Sequence, residues 1–89
     1  MGDVLVTTCG TMRNIAPMNG KDYTLCELQS YVCGLVETVR LGEKLLVVDE
    51  EGKLKGKPVN RIATGWLQTS GIADYIVGNA MLIDRTHIK

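Results

Sequence analysis

The chain has 89 residues, of which 45% are apolar and 22% are charged, and its ten basic and ten acidic side chains cancel to a formal net charge of zero. A chain of this size forms one compact domain, because two domains would leave neither with a sufficient core. Zero net charge disfavours both a disordered chain and a surface that binds nucleic acid generally. We therefore expect a single domain, residues 1–89, with little room for a deep catalytic cleft.

Targeting features and cysteine spacing both indicate the cytoplasm. No apolar run approaches the roughly eighteen residues that span a bilayer, and no basic segment precedes an apolar core at the N-terminus. The three cysteines are Cys9, Cys26 and Cys33. In a helix, Cys26 and Cys33 would lie about 10.5 Å apart, beyond disulfide reach. We expect reduced, buried cysteines and no zinc site.

The first half of the chain contains two strand signals and one helix signal. Residues 3–8 are rich in β-branched side chains and predict a strand, and residues 12–18 predict a weaker ribbon that can lie beside it. Thr24 and Glu27 have capping-box spacing, which predicts that a helix begins at this point. Gly34 is positioned to end that helix.

The second half returns to strand periodicity. Alternating residues 35–41, then Gly42 and residues 44–48, predict two strands, and residues 49–52 predict a tight turn before a return strand through 53–55. Asn60 is a predicted N-cap for a helix over 61–68. Residues 74–84 predict a final strand pair, or one strand with a bulge. Together these elements predict an α+β fold: a small mixed or antiparallel sheet with two helices on one face, in the order β-α-β-β-α-β.

Three blocks, residues 28–37, 47–64 and 74–79, resemble a small family called domain of unknown function 3846. The resemblance spans roughly residues 22–84, and the sequence differs from the family pattern at Cys33, where a second Gly is usual, and at Asp49, where Asn is common. Members resemble products of phages, plasmids and other mobile elements of bacteria. The resemblance implies a small protein that acts by binding, either to a host protein or to a nucleotide-derived immune signal, although family does not fix function.

The segment between the predicted hairpin and the second helix carries four positive charges in nine residues: Lys53, Lys55, Lys57 and Arg61. If the strand continues, the three lysines share one face. Together with the backbone amides at the Asn60 cap, they could hold a phosphate or another anion. The alternative is that the lysines guard an exposed strand edge and are balanced by acidic neighbours.

Polar and aromatic residues near the second helix have two interpretations each. Asn60 can read a base edge or cap the helix, and Arg61 can clamp a phosphate or pair with an acidic neighbour. Thr64 lies in the same block. Trp66 and Tyr75 can stack on a base or pack in a core that lacks Phe.

The inventory for catalysis is poor. The only histidine is His87, and no Ser/His/Asp set has plausible neighbours. Glu37, on an apolar strand, is either a partly buried carboxylate or part of a wet edge. Asp49, in an acidic turn, lacks calcium-loop spacing. We therefore expect no enzyme, no metal and no cofactor.

We expect a small binding protein with an anionic or nucleotide-like ligand, held by residues drawn from the basic segment and the second helix: Asn60, Arg61, Thr64, Lys53, Lys55, Lys57 and Trp66. The alternative is a protein-protein interaction module that modulates a host protein. We also expect a homo-oligomer in the cytoplasm of a bacterial host, without contact to a membrane. Nucleic acid ranks third among the partners.

Overall fold

A computed structural model describes residues 2–88. Within this range, five strands and two α-helices follow one another in the order β1 (Asp3–Val6), β2 (Met12–Ile15), α1 (Leu25–Val32), β3 (Val36–Leu41), β4 (Lys44–Asp49), α2 (Arg61–Thr69) and β5 (Ala80–Asp84). The strands form one sheet in the order β2-β1-β5-β4-β3, and every neighbouring pair is antiparallel. The expected α+β class is confirmed, and the sheet is antiparallel rather than mixed. Neither helix is long and apolar enough to cross a membrane.

The two helices lie on opposite faces of the sheet, so the prediction that they share one face is wrong. Successive side chains of a strand point to opposite faces. On β4, Val47 belongs to the core cluster that contains α1, whereas its neighbours Leu46 and Val48 belong to the cluster that contains α2. The physical reason is that residues 45–48 are apolar without alternation, which is typical of a strand covered on both faces.

The strands also differ from the predicted ones at three places, of which the first changes the order of elements. The weak ribbon is a true strand, β2, whose Met12 pairs with Val6 of β1. The predicted return strand at 53–55 is wrong, because residues 50–56 form successive turns that begin where the Gly52 amide donates to the Asp49 carbonyl (3.1 Å). Residues 74–84 are predicted to form a strand pair or one bulged strand. They contain the single strand β5, because Gly78, at φ 76°, turns the chain just before it.

Helix α1 begins as predicted and ends one residue earlier than predicted. The Glu27 amide donates to Thr24 Oγ1 (3.2 Å) and the Thr24 amide donates to Glu27 Oε1 (3.0 Å), so the capping box is confirmed. Cys33, at φ 60°, ends the helix in the left-handed conformation that glycine adopts most easily. Gly34 has another role: a Cβ there would lie 2.5 Å from Asp49 Oδ2.

The cysteines are free and exposed, so the expectation that they are buried is wrong. Within residues 2–88, the two core clusters consist of aliphatic side chains together with Met81 and Tyr23, and contain no cysteine.

A buried carboxylate joins the two ends of the described chain. Asp3 Oδ2 accepts from the Tyr23 hydroxyl (2.8 Å) and lies 2.6 Å from His87 Nδ1, while Asp3 Oδ1 accepts from the Asp84 amide (2.9 Å). Burial first, and then the hydrogen bond to Asp3, raise the pKa of the Tyr23 hydroxyl. Tyr23, two residues before α1, is thereby fastened to β1 and to the short 3₁₀ turn Arg85–His87.

Replacing the Tyr23 hydroxyl tests this junction. Tyr23→Phe keeps the packed ring and removes one hydrogen-bond donor to the buried Asp3 side chain, so we expect a loss of about 1.5 kcal/mol in the free energy of unfolding. Urea denaturation at pH 7 measures it. Tyr31→Phe, on a partly buried ring of the same cluster, is the control and should change stability by less than about 0.5 kcal/mol. Equal effects of the two variants would contradict the assignment.

Candidate functional site

The lysines of the predicted anion site lie against a buried carboxylate. Asp49 Oδ2, whose side chain is 0% exposed, lies 2.6 Å from Lys57 Nζ and 3.0 Å from Lys55 Nζ. Lys57 also donates to the carbonyls of Val32 (2.9 Å) and Cys33 (3.2 Å) at the end of α1. Ammonium groups are favourable at a helix C-terminus, so these two lysines close α1 onto β4.

The Asp49 carboxylate is held ionised by these contacts. Burial alone would raise its pKa, but hydrogen bonds from Lys57, from the Glu51 amide and from Lys55 outweigh burial and lower the pKa to about 2. Asp49, which the sequence places in an acidic turn, is therefore the last residue of β4 and an internal charge that organises two lysines.

Lys53 lies on a different side of the turn region. Its Nζ is 2.6 Å from Asp74 Oδ1 and 4.1 Å from the centroid of the Tyr75 ring. Because residues 50–56 are turns, the three lysines do not share the face of a strand, and that part of the prediction is wrong. Their role in binding stays a prediction.

The polar residues of α2 serve the fold. Asn60 is fully buried: its Oδ1 accepts from the Ala63 amide (3.1 Å), and its Nδ2 donates to the carbonyls of Val6 (3.0 Å) and Gly78 (2.9 Å). The cap interpretation is thus confirmed. Thr64 Oγ1 accepts from the Ile76 amide (2.9 Å). Arg61 is exposed on the first turn of α2, so these three residues do not converge with the lysines on one site.

Trp66 borders a cleft on the α2 side of the sheet, which we call the Trp66 cleft. Trp66 and Leu82 pack beside the α2 cluster, and β1 and β2 extend beyond it to form an open floor. Val4 pairs with Asn14 on one side and with Leu82 on the other, so the three form one row across the sheet. The cleft measures about 420 Å³ and is also bordered by Met12 and Lys44.

The polar groups of the Trp66 cleft are available to a ligand. Within residues 2–88 the Lys44 ammonium forms no ion pair. Its cross-strand partner Asp84 accepts instead from the Thr86 hydroxyl (2.7 Å) and amide (2.9 Å), and these bonds, more than Lys44, lower the pKa of Asp84. The Asn14 side chain is exposed. The cleft therefore combines an aromatic wall, an apolar floor, one ammonium and one amide.

A second cavity, of about 220 Å³, lies between α2 and the β3-β4 hairpin. Its lining includes Glu37, Lys53, Asp74 and Tyr75. Glu37 is exposed. Of its two predicted interpretations, the structure therefore favours part of a wet edge over a partly buried carboxylate.

Sequence reasoning missed Asn14 and Lys44. Neither stands in a motif, and they are thirty positions apart along the chain. Their proximity depends on the register of four strands, from β2 through β1 and β5 to β4. The only local signal was the alternation in residues 12–15, which places Met12 and Asn14 on one face once β2 is accepted as a strand.

Comparisons with known proteins give a family. No curated protein and no solved structure matches the chain. The model of the Domain of unknown function (DUF3846) matches residues 3–88, a span that includes β1 and β2 as well as the blocks that carry the resemblance. The chain therefore belongs to the DUF3846 family.

Proposed function

We propose that this protein is a small, non-catalytic binding protein that holds a ring-containing anion of the nucleotide-derived class in the Trp66 cleft. The observation that carries the proposal is the combination of Trp66, Asn14 and the Lys44 ammonium, which forms no ion pair within the described residues, around an apolar floor. The volume of about 420 Å³ falls within the range of about 300–1,000 Å³ that is usual for small-molecule sites.

Each group has a role that suits a nucleotide. An indole ring can stack on a base, which contributes about 1–3 kcal/mol. The Asn14 amide offers both a donor and an acceptor to a base edge. The Lys44 ammonium can neutralise a phosphate, whereas Lys55 and Lys57 already contact Asp49. The ligand site therefore shifts from the basic segment to the Trp66 cleft, and Trp66 is the residue that both assignments share.

The biological setting is part of the same proposal. A mobile-element origin suits a cytoplasmic protein that removes a nucleotide-derived signal of host defence from solution by binding it. Sequestration requires affinity and abundance but no turnover. The Trp66 cleft offers a ring for stacking, one charge and one amide. These groups can bind a nucleotide without transforming it.

Trp66 is the only tryptophan, so the intrinsic fluorescence of the protein reports directly on the Trp66 cleft. We expect a cyclic dinucleotide, an ADP-ribose derivative or a mononucleotide to quench it saturably. Lys44→Met should weaken binding of that ligand about tenfold, equivalent to about 1.4 kcal/mol, because it removes the charge and keeps the aliphatic stem.

Lys21→Met, on an exposed turn outside the lining of the Trp66 cleft, is the matched control and should leave the affinity unchanged. The proposal would be overturned if none of these three kinds of nucleotide quenched the fluorescence saturably. It would also be overturned if Lys44→Met bound the ligand as tightly as the unmodified protein.

The open face also favours a second candidate, a protein-protein interaction module that contacts a host protein or a second copy of the chain. The observation is Met12, which is 53% exposed on the edge strand β2 beside the Trp66 cleft. Edge strands with exposed apolar side chains are templates for pairing. Met12→Glu should then abolish a partner seen in affinity purification, or a dimer seen by light scattering. A monomer without a Met12-dependent partner would exclude this candidate.

A further inference from the structure

The second cavity has the construction of a site for an organic cation. Its floor is apolar and includes the buried side chains of Val48, Leu67 and Ile76. Its mouth carries the Tyr75 ring and the carboxylates of Glu37 and Asp74. A volume of about 220 Å³ equals about seven water molecules, enough for a short aliphatic chain with one charged head group.

The protein already holds a cation at this mouth. The Lys53 ammonium lies 4.1 Å from the centroid of the Tyr75 ring and 2.6 Å from Asp74 Oδ1. A ring face and a carboxylate together are the arrangement that recognises ammonium groups in proteins. The hydrogen bond to Asp74 in the first place, and the charge of Glu37 to a lesser degree, raise the pKa of Lys53. The position at the mouth therefore stabilises a positive charge.

Lys53 does not neutralise all of the negative charge that lines the cavity. Of the four carboxylates in the lining, Asp49 is matched by two other lysines and Asp74 by Lys53, whereas Glu37 and Glu50 form no ion pair within residues 2–88. The Lys53 and Asp74 side chains are 46% and 52% exposed, so their ion pair contributes little to stability. Lys53 can therefore leave the ring at small cost.

We propose that the second cavity binds a primary alkylammonium ion, with its aliphatic chain on Val48, Leu67 and Ile76 and its head group against Tyr75 and Asp74. Lys53 occupies the head-group position in the free protein and acts as an intramolecular competitor. This site is separate from the Trp66 cleft and has the opposite charge preference, and it does not rest on the proposed function.

The probe is n-butylammonium, followed by chemical-shift titration of the backbone amides in the full chain. Lys53→Gln removes the competitor, and we expect it to bind the probe about threefold more tightly than the unmodified protein, with shifts at Asp74, Tyr75 and Ile76. In the Lys53→Gln background, Asp74→Asn and Glu37→Gln should each weaken binding. Lys21→Gln is the matched control and should bind like the unmodified protein.

The neutral isostere 1-butanol separates recognition of the charge from recognition of the chain. We expect it to bind more weakly than n-butylammonium to Lys53→Gln, and the difference should shrink at high salt. Absence of saturable shifts in Lys53→Gln, affinity no higher than that of the unmodified protein, or equal affinity for 1-butanol would each overturn the proposal.

Discussion

Asp49→Ala is expected to lower the free energy of unfolding by about 3 kcal/mol at neutral pH, at the lower end of the range for breaking a buried ion pair. The Asp49 side chain is fully buried and joins two lysines, and it packs directly against Gly34. Among residues 2–88, its removal leaves Lys57, which is 20% exposed, with the carbonyls at the end of α1 as its remaining partners. Urea denaturation measures the loss.

Asp74→Ala is the matched control, because it breaks an ion pair of similar length that is half exposed. Its expected cost is below about 1 kcal/mol. The assignment of Asp49 would be contradicted if the two alanine variants lost equal stability.

The same carboxylate makes stability depend on pH in the acidic range. Its pKa is about 2 in the folded protein, below the ordinary value of 3.8. A depressed folded pKa gives stability that is fully present above about pH 4 and is lost as the pH falls towards 2, because the unfolded state binds the proton first. The contribution is about 2 kcal/mol. Asp49→Asn should flatten the stability profile between pH 4 and pH 2.

Asn60→Ala is expected to cost about 3 kcal/mol. It removes the N-cap of α2, worth about 1 kcal/mol, and leaves the buried carbonyls of Val6 and Gly78 without their donor. These bonds join β1, α2 and the turn before β5, which are distant in sequence. Thermal and urea unfolding both report the loss.

Asn60→Asp separates the two parts of this effect. The carboxylate can still accept from the Ala63 amide, but it cannot donate to the two carbonyls and places a charge against them. We expect Asn60→Asp to be at least as unstable as Asn60→Ala. Asn14→Ala, on an exposed edge position, should change stability by less than about 0.5 kcal/mol. An Asn60→Asp variant as stable as the unmodified protein would show that the carbonyl bonds contribute nothing.

Local signals were enough for the helices. Thr24 with Glu27, and Asn60, each satisfy backbone amides within three residues, so capping could be predicted without knowledge of the fold. The apolar run 45–48 also indicates that both faces of β4 are covered, which is inconsistent with the predicted placement of both helices on one face.

Contacts between distant residues could not be predicted. Spacing showed that the segment 53–61 is basic, but not that Lys57 reaches the Val32 carbonyl, 25 positions away, or that Asp49 is buried. The Trp66 cleft likewise depends on the pairing of β1 with both β2 and β5, which no single segment encodes. Local sequence therefore identifies a basic segment but does not predict which residues its lysines contact.

Chemical-shift mapping is the most direct test of the claim that the Trp66 cleft is the ligand site. The full chain would be saturated with the nucleotide that quenches Trp66 fluorescence most strongly. We predict shifts of the Trp66 indole N–H and of the Asn14 and Lys44 amides, with residues 53–61 unchanged. Shifts confined to residues 53–61, with the indole unchanged, would contradict the claim and return the site to the basic segment.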